Sequence, residues 1–177
     1  MTSTPAIRLL AADDLGHHLL ALSDILTCCV QAGASVGFIL PFDQDAAASF
    51  WQGQVFPAVQ RGEALLFGAF QRGTLVGTVQ LRPAMPANQP HRADVGKLLV
   101  HPQARRAGIG RALMTALEAE ACRLQKRLLL LDTRSGDPSQ HLYESLDYRV
   151  AGSVPGFCLH PNGEAFESTT YLYKTLP

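Results

Sequence analysis

Gln103-Ala104-Arg105-Arg106-Ala107-Gly108-Ile109-Gly110-Arg111-Ala112-Leu113-Met114 follows closely on an apolar, strand-like run, Val95-Gly96-Lys97-Leu98-Leu99-Val100. It leads into a helical pattern with Ile109, Ala112, Leu113, Ala116, Leu117, Ala121 and Leu124 on one face, the spacing of an amphipathic helix. A strand, a short turn of glycine and arginine, and a helix N-terminus make an anion site. Glycines let the backbone approach a ligand, and the free N–H groups of the turn converge on one point. The helix dipole adds partial positive charge there, and Arg105, Arg106 and Arg111 add full charges. The expected guest is a phosphate or pyrophosphate.

Two common phosphate loops do not fit. The Walker pattern needs Gly-Lys-Ser/Thr after a four-residue gap, and the chain has none. The dinucleotide fingerprint needs a third glycine and a first strand near the chain start, whereas Ala107 and Arg111 crowd this turn and its strand lies mid-chain. Arg105-x-x-Gly108-x-Gly110 instead resembles the pyrophosphate motif of the GNAT acetyltransferase superfamily, which binds acetyl-CoA. Downstream, Leu128-Leu129-Leu130-Leu131 ends in Asp132-Thr133 and reads as a strand buried on both faces. Leu142-Tyr143-Glu144-Ser145-Leu146-Asp147-Tyr148 is similar to the Y-x-x-x-G-F/Y element of the same superfamily, with Asp147 where glycine is usual. Further strings resemble the tabtoxin-resistance acetyltransferases: Gly33-Ala34-Ser35-Val36-Gly37-Phe38, Arg92-Ala93-Asp94-Val95, Leu131-Asp132-Thr133, Pro155-Gly156-Phe157-Cys158, and the tail Tyr171 to Leu176. The likeness is thinnest over Leu40–Arg61 and Pro83–Pro90.

Composition suits a single domain, residues 1–177, with a full core. Hydrophobic residues make up 47% and charged ones 17%, a globular rather than disordered balance. Fifteen basic and 15 acidic residues cancel, which argues against a nucleic-acid partner, since that needs a basic surplus. No run reaches membrane-spanning length, and Met1-Thr2-Ser3-Thr4-Pro5 lacks a signal segment. The four cysteines, Cys28, Cys29, Cys122 and Cys158, show no zinc-site spacing. Reduced core thiols, no metal and a cytoplasmic location are the expectation; a homodimer is left open.

The order of elements is mixed α/β. Ile7–Leu10 is a first strand. A helix capped by Asp13 or Asp14 runs to about Gln31, and Gly33–Pro41 is a loop. Asp43 caps a second helix through Arg61, which Pro57 should kink. Glu63–Gln71 and Thr74–Arg82 form a hairpin around Arg72-Gly73. Pro83–Pro90 is a mobile loop, Asp94–Val100 a strand, and Gly96 marks a bulge in it. After the phosphate turn and its helix come the leucine strand, a short helix with Tyr143, and strands at Arg149–Val154 and Glu167–Lys174. Pro155–Phe166 reads as a lid. The resemblance implies the GNAT fold: a central mixed, mostly antiparallel sheet with flanking helices, in which the parallel strands around the phosphate helix splay. It also implies that backbone groups of Leu98, Leu99 and Val100 bond the pantetheine arm. The segment Arg105, Arg106, Ala107, Gly108, Ile109, Gly110, Arg111 and Ala112 then holds the pyrophosphate.

Acetylating an amine requires removal of a proton from an ammonium of pKa about 10, donors for the developing oxyanion, and a proton for a thiolate whose thiol has pKa about 8.5. The resemblance makes Tyr143 the acid for the departing sulfur. Asp94 and Asp132 are candidates for the amine proton. Ligands of open sheets gather beyond the carboxyl ends of strands, which favours Asp132; either carboxylate can instead bind the substrate ammonium. His141 is a candidate relay. Phe38, Phe42 and Trp51 come from the two segments that cover the acceptor pocket in related folds, and form either its apolar wall or core. The implied activity is direct transfer from acetyl-CoA to the amine of a small molecule. A protein or peptide acetyltransferase and a CoA-binding module without chemistry are the alternatives.

Overall fold

The computed structural model describes residues 4–177; the expectation about a leader at Met1–Ser3 lies outside them. Seven strands form one sheet in the order β1-β2-β3-β4-β5-β7-β6. They are β1 (Ala6–Leu9), β2 (Leu65–Gln71), β3 (Thr74–Arg82), β4 (Arg92–Val100), β5 (Leu128–Arg134), β6 (Arg149–Leu159) and β7 (Phe166–Thr175). All neighbours are antiparallel except β4 and β5. That parallel pair is joined by α4 (Ile109–Arg123), as a βαβ crossover requires. This is the mixed α/β GNAT acyltransferase architecture expected from the sequence. No helix among the described residues is long and apolar enough to cross a membrane.

Strand alternation sends neighbouring residues to opposite faces, and each face has its own core. On one face α1 (Leu15–Gln31) and the segment Gln44–Gln60 bury Leu22, Ile25, Leu26 and Trp51 against Leu66 and Leu99. On the other, α4 and α5 (Pro138–Glu144) bury Ile109, Leu113, Leu117 and Tyr143 against Val79, Val95, Leu129 and Leu131. The leucine strand is therefore not buried on both faces. Leu129 and Leu131 are buried, but Leu128 and Leu130 on the α1 side are only half-covered.

Several local expectations change in instructive ways. Asp14 stands at the head of α1 but its side chain caps nothing; it bonds His17 at 3.0 Å after a 3-10 turn at Ala12–Asp14. Asp43 does cap α2 (Gln44–Phe50), accepting from Ala46 N–H at 2.9 Å. Pro57 lacks an N–H, and the helix meets this with a π-turn at Trp51–Val55 before α3 (Phe56–Gln60). The Arg72-Gly73 hairpin has φ of 50° and 82°, the pair of positive angles that a two-residue turn of this hand demands. Pro83–Pro90 is tied down, because Lys126 Nζ donates to the Pro83 and Pro90 carbonyls at 2.8 Å each. Pro155–Phe157 is part of β6, where the register with β7 shifts between Val154 and Cys158. Cys122 is exposed rather than in the core.

Candidate active site

β4 and β5 pair only from Arg92–Leu128 to Asp94–Leu130. Beyond that point β4 continues to Val100 and β5 to Arg134 without each other, so their facing backbone groups are open. The opening starts where β4 carries an extra residue: Gln80 pairs with Gly96 and Thr78 with Leu99, two steps against three. Gly96 thus borders the bulge, and its strained residue is Lys97, with φ of 51°. Leu98, Leu99 and Val100 line the open edge. The Val100 carbonyl is already taken by Cys29 Sγ at 3.4 Å and Arg105 Nε at 3.2 Å.

The turn at the open end is built from backbone. Arg106 and Gly108 have φ of 63° and 74°, and α4's first bond is Ala112 N–H to the Gly108 carbonyl at 3.0 Å. The amides of Ile109, Gly110 and Arg111 therefore precede the helical ladder and, among the described residues, have no backbone acceptor. A Cβ on Gly108 would meet nothing within 4 Å, so the space above it is open. Gly110 differs: its Cβ would lie 2.9 Å from Leu142 Cδ2, so the missing side chain lets α4 approach α5 while the amide stays free at the turn. The arginines also divide. Arg105 braces Val100 and reaches Cys29 Sγ at 3.7 Å, and Arg111 docks on Ser145 Oγ at 2.8 Å. Arg106 is exposed and makes no ion pair or side-chain hydrogen bond among the described residues.

Tyr143 is buried beside the cleft with its ring 5.8 Å from that of Tyr148. Burial, then the Asp132 charge, push its phenol far above the usual value, so it keeps its proton at neutral pH. Asp147 takes the left-handed turn that a glycine usually fills, with φ of 66°. Tyr148 N–H still reaches the Tyr143 carbonyl at 3.1 Å, so the helix-to-strand turn is intact. His141 lies exposed, 3.9 Å from Glu144.

Asp94 and Asp132 share the α1 face of the sheet. Asp94 pairs with Leu130 in the ladder, and Asp132 is two residues further on, about 6–7 Å along the strand. Arg92 ion-pairs with Asp94. Asp132 has no ion pair within 4.0 Å among the described residues. It is exposed overall, yet the surrounding protein removes enough water to raise its carboxyl; Lys97 and Arg82 pull it down, and Asp94 adds to the rise.

The aromatic residues do not act as one wall. Trp51 is fully buried behind Phe50 and belongs to the core, and Phe42 is buried against Phe38 at 4.6 Å between centroids. Phe38 and Phe50 are the half-exposed pair, 5.1 Å apart edge to face. Lys97 Nζ lies 5.9 and 5.6 Å from their centroids and donates to the Val36 carbonyl at 3.0 Å. Sequence reasoning passed over Lys97, Phe50 and Arg82. The available signal was Gly96-Lys97, a lone charge after a glycine inside an apolar strand, which marks a bulge that turns a side chain.

The loop over this face is zipped to the β6–β7 hairpin. Leu40 N–H bonds the Pro161 carbonyl at 2.8 Å, Ser35 Oγ meets Cys158 Sγ at 3.4 Å, and Arg134 reaches the Gly33 carbonyl at 3.0 Å. Elsewhere, Asp24, Cys28 and His101 bring ligand-type atoms within 4.8 Å of one another. His101 Nδ1 accepts Gln103 N–H at 3.3 Å, which leaves the proton on Nε2, 3.4 Å from Asp24. A metal ligand needs that nitrogen bare, so the trio reads as a polar contact between α1 and the segment before α4.

A profile of the Acetyltransferase (GNAT) family matches residues 26–148, more than half of the chain. The chain belongs to this family. An uncharacterized N-acetyltransferase in the hisH-hisA intergenic region of Azospirillum brasilense is 32% identical over 115 residues, 64% of this chain and 66% of that protein. The chain thus spans just under two thirds of that curated relative. The phosphinothricin acetyltransferase (Pat) of Sinorhizobium meliloti, solved with AcCoA, superposes with a TM-score of 0.79 at 18% identity, over 98% of this chain and 89% of that one. A ribosomal-protein-alanine N-acetyltransferase from Brucella melitensis gives 0.75 at 22%, over 97% and 99%. At these identities the likeness establishes a shared fold.

Proposed function

We propose that this chain transfers the acetyl group of acetyl-CoA to the amine of a small, amino-acid-like molecule, directly and without an acyl-enzyme. The observation that carries the reading is the parting of β4 and β5 after Asp94–Leu130, beside a helix head with unpaired amides. An open strand edge suits an extended amide-bearing arm. Free amides, the N-terminal dipole and Arg106 suit a pyrophosphate. The open space over Gly108 supports the same fit.

Acetyl-CoA supplies the acetyl group as a thioester: the amine nitrogen forms the new amide bond as the carbon–sulfur bond breaks. Asp132 carboxylate takes the amine proton, and its raised pKa brings it nearer to a useful base. Tyr143 hydroxyl, held protonated, gives its proton to the departing sulfur. Asp94, occupied by Arg92, is the weaker base. The loop joined to the β6–β7 hairpin favours a small acceptor over a peptide needing a groove. The strings shared with the tabtoxin-resistance acetyltransferases support an amino-acid-like one.

Thiol release from acetyl-CoA over a panel of amines and amino acids tests the reading. Release that depends on an amine, with N-acetyl product by mass, is expected. Acetyl-CoA binding with no release for any amine would move the chain to the non-catalytic class.

A further inference from the structure

Lys97 is the unexplained group of the acceptor face. In a regular strand it would point opposite to Gly96, towards α4. The extra residue of the bulge turns it to the α1 face with Asp94 and Gly96, at a left-handed φ of 51° that a lysine rarely adopts. Backbone strain of this kind costs on the order of 1–3 kcal/mol and persists where surrounding structure demands it. Its product here is an ammonium held over two aromatic rings, with one of its three donors used, on the Val36 carbonyl. No carboxylate lies within 4.0 Å of Nζ among the described residues. The acid acting on it is Asp132, itself near Asp94, and Arg82 adds a second cation on the same face, its guanidinium above Gly96. Gln80, paired with Gly96 and so on that face too, is 4% exposed and has an amide nitrogen without an acceptor.

We propose that Lys97 is an anion anchor, and that the acceptor carries a carboxylate together with its amine. The inference rests on the acetyltransferase reading above. The carboxylate takes the two free donors of Lys97 Nζ, with Arg82 as the outer cation. The amine end then faces Asp132, so the two ends of a zwitterion meet the two signs of charge across the mouth of the cleft. Burial and the Arg82 charge lower the Lys97 pKa, and a bound carboxylate opposes that shift. Phe38 and Phe50 contribute an apolar floor on which a short side chain packs.

The test pairs each L-amino acid with its α-amide, which keeps the amine and side chain and lacks the negative charge. Wild type should turn over the amino acid with a KM roughly 10- to 100-fold below that of the amide, the size of a charge-assisted contact. Lys97→Met keeps the apolar stem and should remove that difference by raising KM for the amino acid alone, with kcat changed little. A purely structural tie to Val36 would raise both KM values together and would overturn the proposal. Equal KM values in wild type would overturn it as well. Melting-temperature shifts with amino acid alone give a second readout that needs no turnover: a shift in wild type, absent in Lys97→Met and with the amide, is expected. Acetyl-CoA must still raise the melting temperature of Lys97→Met, which shows that the variant folds. If no amine at all releases thiol, the acetyltransferase reading fails; the amino-acid shift then still decides whether Lys97 binds a carboxylate.

Discussion

The turn at the head of α4 and the face beneath the 33–41 loop are built from different material. The turn is backbone: unpaired amides, two left-handed residues and open space over Gly108, all within one short segment. The proposed acceptor face is side chains, gathered from α2, β3, β4, β5 and the loop. Backbone donors suit a group such as a pyrophosphate, which offers the same oxygens each time. Side chains from distant segments vary independently, so they are where an acceptor is chosen.

That division can be broken from either end. The largest effect is expected for Tyr143→Phe, which should lower kcat roughly 100-fold or more while acetyl-CoA affinity stays unchanged. Unaltered turnover with a good acceptor would return Tyr143 to a packing role. Gly77→Ala attacks the support of the turn. Its Cβ would stand 3.0 Å from the Leu99 carbonyl and 3.1 Å from Ile109 Cγ2, where backbone cannot yield. A loss of about 1–3 kcal/mol in denaturant unfolding is expected, and a neutral result would mean that α4 sits further from β3.

The arginines sharpen the contrast within the turn itself. Arg106→Ala should weaken acetyl-CoA binding several-fold, about 1 kcal/mol for an exposed charge, without changing stability. Arg111→Ala should do the reverse, since its guanidinium holds Ser145; about 1 kcal/mol of stability is expected to go. Titration of both variants separates the cases, and equal losses of affinity would restore the uniform charge cluster. The smallest effect concerns Asp147. Its left-handed φ favours glycine, so Asp147→Gly should stabilise by about 0.5–1 kcal/mol, read as a higher melting temperature. A drop would show that the carboxylate has a partner of its own.

Element order and the parallel crossover were legible because they rest on local signals. The Arg72-Gly73 hairpin, the Asp43 cap and the Arg105–Gly110 turn each lie in a few consecutive residues. Roles that depend on packing were not legible. Gly110 has a second role that sequence spacing did not show: Leu142, 32 positions away in sequence, fills the space its side chain would need. Trp51 could be read from the sequence as pocket wall or as core, and its full burial in the core on the α1 face makes it core. Lys97 escaped notice because alternation alone puts it on the other face; a bulge has to be counted from the pairing of β3 with β4.

Asp132→Asn tests the separation of cofactor turn and acceptor face most directly. Acetyl-CoA affinity and the pH profile of kcat are measured on the same preparation. A base must be deprotonated to act, so wild-type kcat should fall as pH drops through the Asp132 pKa, which lies above the ordinary carboxylate value. The variant should bind acetyl-CoA within about twofold of wild type, lose roughly 100-fold in kcat, and show no acidic limb. An unchanged limb, or a loss of acetyl-CoA affinity as large as the loss of turnover, would contradict the account.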